Sequence, residues 1–337
     1  MGSLYIDSRV QEVRADGQSL TLYAGGRLEG RVPAIPLERV LIQGGVLVDT
    51  RALHLLAGQG VEVLLVSGRH GRWRATVIGP EHSHAALRVA QVVVHLDAAR
   101  RLVFARRWVE AKLAGQAVNV AAWKEMHPRN RAPLIDATVA LDRALIGSAE
   151  ADAESLRGLE GAAARAYFGA LQAVLPPAYG FRGRNRRPPL DPVNALLSLT
   201  YTLLHGEWAG LLRGAGFDPH VGFFHSLEYG RESLASDLVE PCRPVADRWV
   251  VDLVKTGTLR PRDFAMGGER AGCWLRKDAR ARYYMAYETW AVPLRHGWRT
   301  EAYALAREVL REDGDGQPVP DGVEDGHGAS GGGEPAD

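Results

Sequence analysis

Four acidic or imidazole side chains stand in sequence settings that favour metal chemistry. Glu160 lies in RGLEG, ahead of the alanine-rich stretch AAARAYFGALQAVL, and His225 follows two aromatic residues in GFFHS. Asp237 and Glu240 lie three residues apart in SDLVEP, a spacing that places both on one face of a helix. Two carboxylates side by side repel each other unless a cation lies close to them. The pair therefore favours a metal site more than either acid would alone.

Together, Glu160, His225 and Glu240 would supply two oxygen ligands and one nitrogen ligand. Such a set suits an octahedral divalent ion, Mg²⁺ or Mn²⁺, and leaves positions for water and for phosphate oxygens. The ion would polarise a phosphoryl oxygen and stabilise the attacking or leaving oxygen, as in metal-dependent nucleases. The sequence offers no convincing Ser-His-Asp or Cys-His set that would indicate a covalent intermediate instead.

Two of the candidate ligands also have a purely structural interpretation. Glu160 falls where a helix should start, and a glutamate there would interact favourably with the helix dipole. His225 lies in a linker rich in glycine, so it could be a hydrogen-bonded turn residue. A metal site requires that three separate elements bring the ligands together, and sequence separation leaves that point open.

A cluster of arginines lies between the first and second candidate ligands, in the segment FRGRNRRPP, which we call the arginine loop (residues 181–189). Like charges this close repel one another unless an anion binds them or water solvates them. Asp191 and Pro192 suit the N-cap and first position of a following helix, whose Asn194 could face the same cleft. We expect DNA phosphates to be bound by Arg182, Arg184, Arg186, Arg187 and Asn194.

Composition narrows the class of protein. The 337 residues are 46% hydrophobic and 24% charged, which excludes a chain disordered throughout. No stretch approaches the roughly 18 apolar residues of a membrane span, and the N-terminus lacks the basic and apolar regions of a signal peptide. We expect a cytoplasmic protein with no membrane partner.

The charges are distributed unevenly along the chain. Residues 312–337 hold eight acidic side chains and no Lys or Arg, and their low apolar content predicts a disordered acidic tail. The rest of the chain is basic, and only four of its 41 basic residues are lysines. Guanidinium groups bind phosphate in a bidentate manner, so this charge permits a nucleic-acid partner, although an arginine-biased genome would produce the same composition.

Hydrophobic periodicity predicts an α+β protein. Residues 1–79 alternate as short strands, among them a strand over 61–67 buried on both faces, with a short helix over 50–58. Residues 80–311 have helical periodicity with almost no strand signal, which predicts a larger, all-α second domain. In its first long helical stretch, Lys112 and Gln116 share a face and could contact DNA. Further helices are predicted over 134–147, 155–175, 191–214, 234–253, 278–294 and 300–311.

Taken as a set and in order, several motifs resemble one known family. RNRRPPLDPVNALLSLTYTLL, GFFHS and SDLVEPCRP are similar to motifs of the CRISPR-associated endonuclease and integrase of the adaptation (spacer acquisition) module, the Cas family's "one" member. The opening SLYIDSRVQEVRADGQSLTLY, the VLVDTRALHLLAGQGVEVLLVSGRHG segment and the late GCWLRKDARARYYMAYE are similar too. The resemblance implies an N-terminal β-sandwich joined to a helical catalytic domain.

Carried over by position, the resemblance implies that Glu160, His225 and Glu240 bind the divalent metal and that Asp237 assists as a neighbouring acid. It also implies a homodimer formed through residues 1–79, assembled with a small ferredoxin-like adaptation partner protein. The implied substrates are double-stranded DNAs, namely a short spacer fragment and the CRISPR repeat.

In the implied reaction, a 3′-hydroxyl of the fragment attacks a phosphodiester at the repeat boundary, which is a transesterification. Water in place of the hydroxyl would give hydrolysis at the same site. Two alternatives stay open: a DNA-binding scaffold without catalysis, and a metal-dependent nuclease of branched DNA in repair. Metal dependence separates the first from the integrase, and the length of the product strands separates the second.

Overall fold

The computed structural model describes residues 2–7, 9–35, 37–66, 73–77, 79, 84–127, 131–185, 188–267 and 272–312. Strands dominate the first part of the chain and helices dominate the rest, so the predicted α+β class is confirmed. Arg186, Arg187 and residues 313–337 of the predicted acidic tail lie outside the described residues.

The N-terminal strands form two four-stranded sheets. In chain order the strands are β1 (Gly2–Asp7), β2 (Glu12–Asp16), β3 (Ser19–Ala24), β4 (Arg27–Pro33), β5 (Leu37–Gln43), β6 (Leu47–Val48), β7 (Glu62–Val66) and β8 (Trp73–Val77). The first sheet has the order β1-β5-β7-β8, with β1, β5 and β7 parallel and β8 antiparallel to β7. The second has the order β4-β3-β2-β6, in which only the β2-β6 pair is parallel.

The first sheet is buried on both faces. On β5, Val40 and Ile42 pack in the core shared with the second sheet, while Leu41 between them packs against the helices. On β7, Val63 packs in the core shared with the second sheet, and Leu64 packs against the helices. Because neighbouring strand residues point to opposite faces, a continuous apolar run is the pattern that such a strand requires. The strand predicted over 61–67 is therefore confirmed within the described residues.

Helices make up most of the remaining chain. They are α1 (Thr50–Gly58), inserted between β6 and β7, and then α2 (Ala85–Leu96), α3 (Ala98–Met126), α4 (Arg131–Ser148), α5 (Ala153–Val174), α6 (Pro192–Ala215), α7 (Ser233–Lys255) and α8 (Lys277–Glu312). Five predicted helices begin and end within three residues of the observed bounds, namely those that correspond to α1, α4, α5, α6 and α7. None of the helices in the described part of the chain is long and apolar enough to cross a membrane.

One prediction for the C-terminal part is wrong. The helices expected over 278–294 and 300–311 are one continuous helix, α8, although it contains Pro293. Ala291 and Ala302 are fully buried on either side of the expected break, so tertiary packing outweighs the hydrogen bond that proline removes. The mainly helical part of the chain also holds one antiparallel ribbon, formed by β9 (Phe264–Met266) and β10 (Cys273–Leu275). Three-residue strands are too short to produce a periodic signal.

Aromatic and charged side chains connect the first sheet to the helices. Tyr5 on β1 stacks on Tyr284 of α8 with the ring centroids 4.3 Å apart. Glu207 on α6 is 3% exposed and accepts hydrogen bonds or ion pairs at 2.8 Å from Arg39 of β5 and Arg295 of α8. A charged side chain is buried at this low exposure only when it is paired. The sheet and the two helices are therefore held together by a buried ion network.

Candidate active site

Helix α5 carries Glu160 in its interior. The helix begins earlier than the glycines around Glu160 suggest, because the Asp152 carboxylate caps it by accepting the backbone N–H of Ser155 at 2.8 Å. Leu156, in the first turns, is fully buried and anchors the start of the helix. Glu160 therefore lies about two turns inside α5, and its interpretation as a first-turn residue interacting with the helix dipole is wrong.

Helix α7 carries Asp237 and Glu240 on one buried face, at 0% and 5% exposure. As the spacing of three residues predicts, the two acids share one face of the helix. Asp237 does not stand beside Glu240 as a second free acid, because it binds the GFFHS segment that precedes α7. Its carboxylate accepts the backbone N–H groups of Phe223, Phe224 and His225 at 2.7, 3.0 and 2.9 Å.

The same carboxylate orients the His225 imidazole. Asp237 Oδ1 lies 2.6 Å from His225 Nδ1, and His225 Nε2 lies 3.9 Å from Glu240 Oε1. Since an ionised carboxylate only accepts hydrogen bonds, the proton belongs on Nδ1. The Nε2 lone pair then faces Glu240, which is the tautomer that a metal ligand needs.

Lys112 of α3 lies between Glu160 and Glu240. Its ammonium group is 2.6 Å from Glu240 Oε2 and forms a second ion pair with Glu160 Oε1, and the residue is 4% exposed. The expectation that Lys112 and Gln116 contact DNA is not met here, because Gln116 is 1% exposed as well. Lys112 instead supplies the positive charge that two neighbouring carboxylates require.

A second cation, Arg243, lies one helical turn after Glu240 and contacts Glu240 Oε1 at 3.0 Å. Burial alone would raise the pKa of the Glu240 carboxyl, but Arg243 and Lys112 outweigh burial and lower that pKa to about 2. Glu240 is therefore a carboxylate at neutral pH, as a metal ligand must be.

The residues present fit a divalent ion in charge and in donor type. Glu160 and Glu240 already share one cation, the Lys112 ammonium, and His225 Nε2 lies 3.9 Å from Glu240 Oε1. As the side chains stand in the described part of the chain, no three ligating groups surround a common point. A divalent ion held by both carboxylates would take the place of the ammonium, and Lys112 would have to withdraw.

Asn194 binds the described first part of the arginine loop, residues 183–185. Asn194 is fully buried, accepts hydrogen bonds from Arg184 Nη1 at 2.8 Å and from the Asn185 backbone at 3.0 Å, and donates one to the Gly183 carbonyl at 2.9 Å. Its side chain therefore shapes the loop and does not face an open cleft. Arg182 is exposed on the same loop.

Tyr201 of α6 lies between the arginine loop and Glu240. The guanidinium carbons of Arg184 and Arg243 lie 5.4 and 4.7 Å from the centre of its ring, and its hydroxyl donates to Asp247 Oδ1. Asp247 is 1% exposed, and burial, the largest effect, raises its pKa to about 6.

The sequence predicts a functional role for Asn194 but not for Tyr201, Arg243 or Asp247, although a helical signal for these three exists. Glu240, Arg243 and Asp247 follow the i, i+3, i+7 spacing of one face of α7. Asn194 and Tyr201, seven residues apart, share a face of α6 in the same way. A search for polar residues at helical spacing from the candidate ligands would have found them.

The comparisons with known proteins place this chain in one family. The family described as "CRISPR associated protein Cas1" matches residues 4–289. The CRISPR-associated endonuclease Cas1 1 of Thermodesulfovibrio yellowstonii is 38% identical over 314 residues, which cover 93% of this chain and 98% of that protein.

Solved structures share the fold. A casposase bound to integration product superposes with a TM-score of 0.79 at 21% identity, over 93% of this chain and 91% of the other. A Cas6-RT-Cas1–Cas2 complex gives a TM-score of 0.78 at 22% identity, over 96% of this chain and 36% of that one. With the family match spanning most of the chain, this protein belongs to the Cas1 family of CRISPR-associated proteins.

Proposed function

We propose that this protein is a divalent-metal-dependent DNA endonuclease and integrase that inserts short DNA fragments into a CRISPR repeat array. The observation that carries the proposal is that Glu160 and Glu240, from two helices, share the buried Lys112 ammonium, while His225 Nε2 lies 3.9 Å from Glu240 Oε1. The names of the relatives, which are endonucleases, support the same class of reaction.

In this proposal Glu160, Glu240 and His225 Nε2 hold Mg²⁺ or Mn²⁺, and Asp237 keeps the imidazole in the required tautomer. The bound ion would supply Lewis-acid stabilisation of the charge that develops on the phosphoryl oxygens. Arg243 adds a fixed positive charge beside Glu240, in a buried position where electrostatic interactions are strong.

The chemical step exchanges one phosphodiester for another. A bond forms between the 3′-oxygen of the fragment and the repeat phosphorus, and the bond from that phosphorus to the former 3′-oxygen breaks. The proton of the attacking hydroxyl is transferred, overall, to the leaving oxygen. In-line positioning supplies much of the rate, so the residues that orient the DNA matter as much as the ligands.

The arginine loop would orient the DNA. Arg182 and Arg184 would bind backbone phosphates, together with Arg186 and Arg187, and the buried Asn194 would fix the shape of the loop. Phosphate contacts carry no sequence information but set the register of the duplex.

The assembly is also part of the proposal. Residues 1–79 would form a homodimer interface, residues 80–311 would form the catalytic domain, and residues 312–337 would act as an acidic tail. A small ferredoxin-like partner would join two such dimers. One structural neighbour was solved together with Cas2, which supports a partner of this kind.

The test combines a supercoiled plasmid carrying a repeat array with a labelled short duplex, in Mg²⁺, Mn²⁺ or chelator, with and without the small partner. The proposal expects label to enter the plasmid only with metal, and expects Glu160→Ala, His225→Ala and Glu240→Ala to abolish the transfer. Cleavage of branched DNA without joining would favour the repair nuclease. Unchanged DNA binding with no reaction in any condition would favour the scaffold.

A further inference from the structure

Asp247 is a buried carboxylate outside the proposed ligand set. It is 1% exposed, its Oδ1 accepts a hydrogen bond from the Tyr201 hydroxyl, and the buried Tyr167 is a second hydrogen-bonding neighbour. A buried carboxylate is costly to a fold unless such donors satisfy it. The hydrogen bond to Asp247 in turn restrains the position of the Tyr201 side chain.

The ring that Asp247 fixes contacts two guanidinium groups. Arg184 and Arg243 lie 5.4 and 4.7 Å from its centre, within the range in which a cation is attracted to an aromatic ring. The ring therefore contributes to the position of both arginines.

The two arginines contact different parts of the proposed active site. Arg243 contacts the metal ligand Glu240 at 3.0 Å, whereas Arg184 belongs to the arginine loop and contacts Asn194 and Ser198 at 2.8 and 3.2 Å. Tyr201 thus contacts one arginine from each of these two parts.

We propose that Tyr201, fixed by Asp247, is a positioning residue that aligns Arg184, a phosphate-binding residue of the proposed function, with the metal ligand Glu240. The inference rests on the proposed function and deepens it, because it identifies how the DNA-binding and metal-binding parts keep a common register. Tyr201 and Asp247 touch neither the metal nor the DNA in this proposal.

The test measures each half of the site without the other. Mn²⁺ affinity is measured by calorimetry on DNA-free protein, and the affinity for a short duplex is measured by fluorescence anisotropy in chelator. Tyr201→Phe removes only the hydroxyl, and Asp247→Asn keeps the size of the acid. We expect each to weaken both affinities by about fivefold, the effect of losing roughly one oriented interaction.

Tyr179→Phe is the matched control. Tyr179 is buried, and its hydroxyl donates to the backbone carbonyl of Leu259 at 2.8 Å, so this variant loses a buried hydroxyl hydrogen bond elsewhere. We expect it to lower the melting temperature while leaving both affinities at the wild-type values.

The outcomes separate this inference from the proposed function. If Tyr201→Phe and Asp247→Asn lower only the melting temperature, as the control does, or weaken only one of the two affinities, the coupling is refuted. If one variant fails to fold by circular dichroism, the other decides. If the wild-type protein itself binds neither Mn²⁺ nor DNA, the proposed function fails first.

Discussion

At the scale of single residues, the candidate site is organised by the balance of buried charges. Glu160 and Glu240 would repel each other in a dry environment, and Lys112 and Arg243 neutralise them. The chemistry-bearing acids could be selected from sequence by their types and spacing. Lys112 could not be placed, because its contact with Glu240 joins residues 128 positions apart.

Replacing Lys112 with Met tests its role as an internal counter-ion. In chelator, we expect Lys112→Met to lower the free energy of unfolding by about 3 kcal/mol, because the buried Glu240 and the half-buried Glu160 lose their shared cation. Added Mn²⁺ should stabilise this variant more than it stabilises the wild type. Urea unfolding with and without Mn²⁺ measures both effects.

Lys124→Met on the same helix is the control, and we expect it to change the free energy of unfolding by less than about 1 kcal/mol. If Lys112→Met were as stable as the wild type in chelator, or if Mn²⁺ stabilised it less, Lys112 would not be the cation that the metal replaces.

Asp247 should make stability depend on pH. Its pKa of about 6 in the folded protein exceeds the ordinary value of 3.8, so between these values the folded state binds a proton that the unfolded state releases. Stability from this group is therefore present at low pH and is lost as the pH rises through about 6. Relative to Asp247→Asn, the wild type should lose about 2–3 kcal/mol between pH 4 and pH 7.

The measurement is urea unfolding of both proteins at half-unit steps of pH, with Asp252→Asn, at an exposed position on the same helix, as the control. A constant difference in unfolding free energy between wild type and Asp247→Asn across this range would contradict the prediction.

At the scale of elements, the sequence predicts those helices that have clear caps and long periodic faces. Asp191 and Pro192 start α6 as expected, because the Asp191 side chain accepts the backbone N–H of Asn194 at 2.8 Å. Proline misleads where packing is strong, because α8 continues past Pro293. Local breaking signals are weak compared with the burial of a helix on both sides of them.

The buried ion network between the first sheet and the helices is the element-scale prediction. Burial alone would raise the pKa of Glu207, but Arg39 and Arg295 outweigh it and lower that pKa. The Glu207 carboxyl is therefore ionised at every pH above its ordinary pKa, and its ion pairs stabilise the fold over that pH range. We expect Glu207→Gln to lower the free energy of unfolding at pH 7 by about 3–5 kcal/mol, because the two arginines lose their shared partner.

Glu308→Gln provides the comparison in the same urea experiment. Glu308 pairs with Arg107 at a site where the two side chains are 33% and 43% exposed, so the loss should stay below about 1 kcal/mol. Equal losses in the two variants would show that the network around Glu207 does not hold the sheet to the helices.

At the scale of the whole molecule, the distribution of charge along the chain bears on the proposed DNA binding. Eight of the 40 acidic residues fall in residues 312–337, which leaves 32 acidic against 41 basic residues in the rest of the chain. Charge asymmetry of this kind is readable from sequence, whereas the meeting of α3, α5 and α7 at one cation depends on long-range packing that no local pattern encodes.

An acidic tail would compete with DNA for the arginine loop. We expect truncation after Arg311 to tighten binding of a short duplex severalfold at about 50 mM salt, and to have little effect at about 300 mM, because salt screens the competition. Anisotropy titrations at both salt concentrations test this. Equal affinities of the full-length and truncated proteins at low salt would exclude a competing tail.

The most direct test of the metal site is the anomalous diffraction of Mn²⁺ in crystals of this protein, with Glu240→Gln crystals as the comparison. We predict a peak coordinated by Glu160, Glu240 and His225 Nε2, with the Lys112 ammonium turned away from the two carboxylates, and no peak in the variant. Mn²⁺ bound elsewhere, with Lys112 still between Glu160 and Glu240, would contradict the assignment of these residues as the metal ligands.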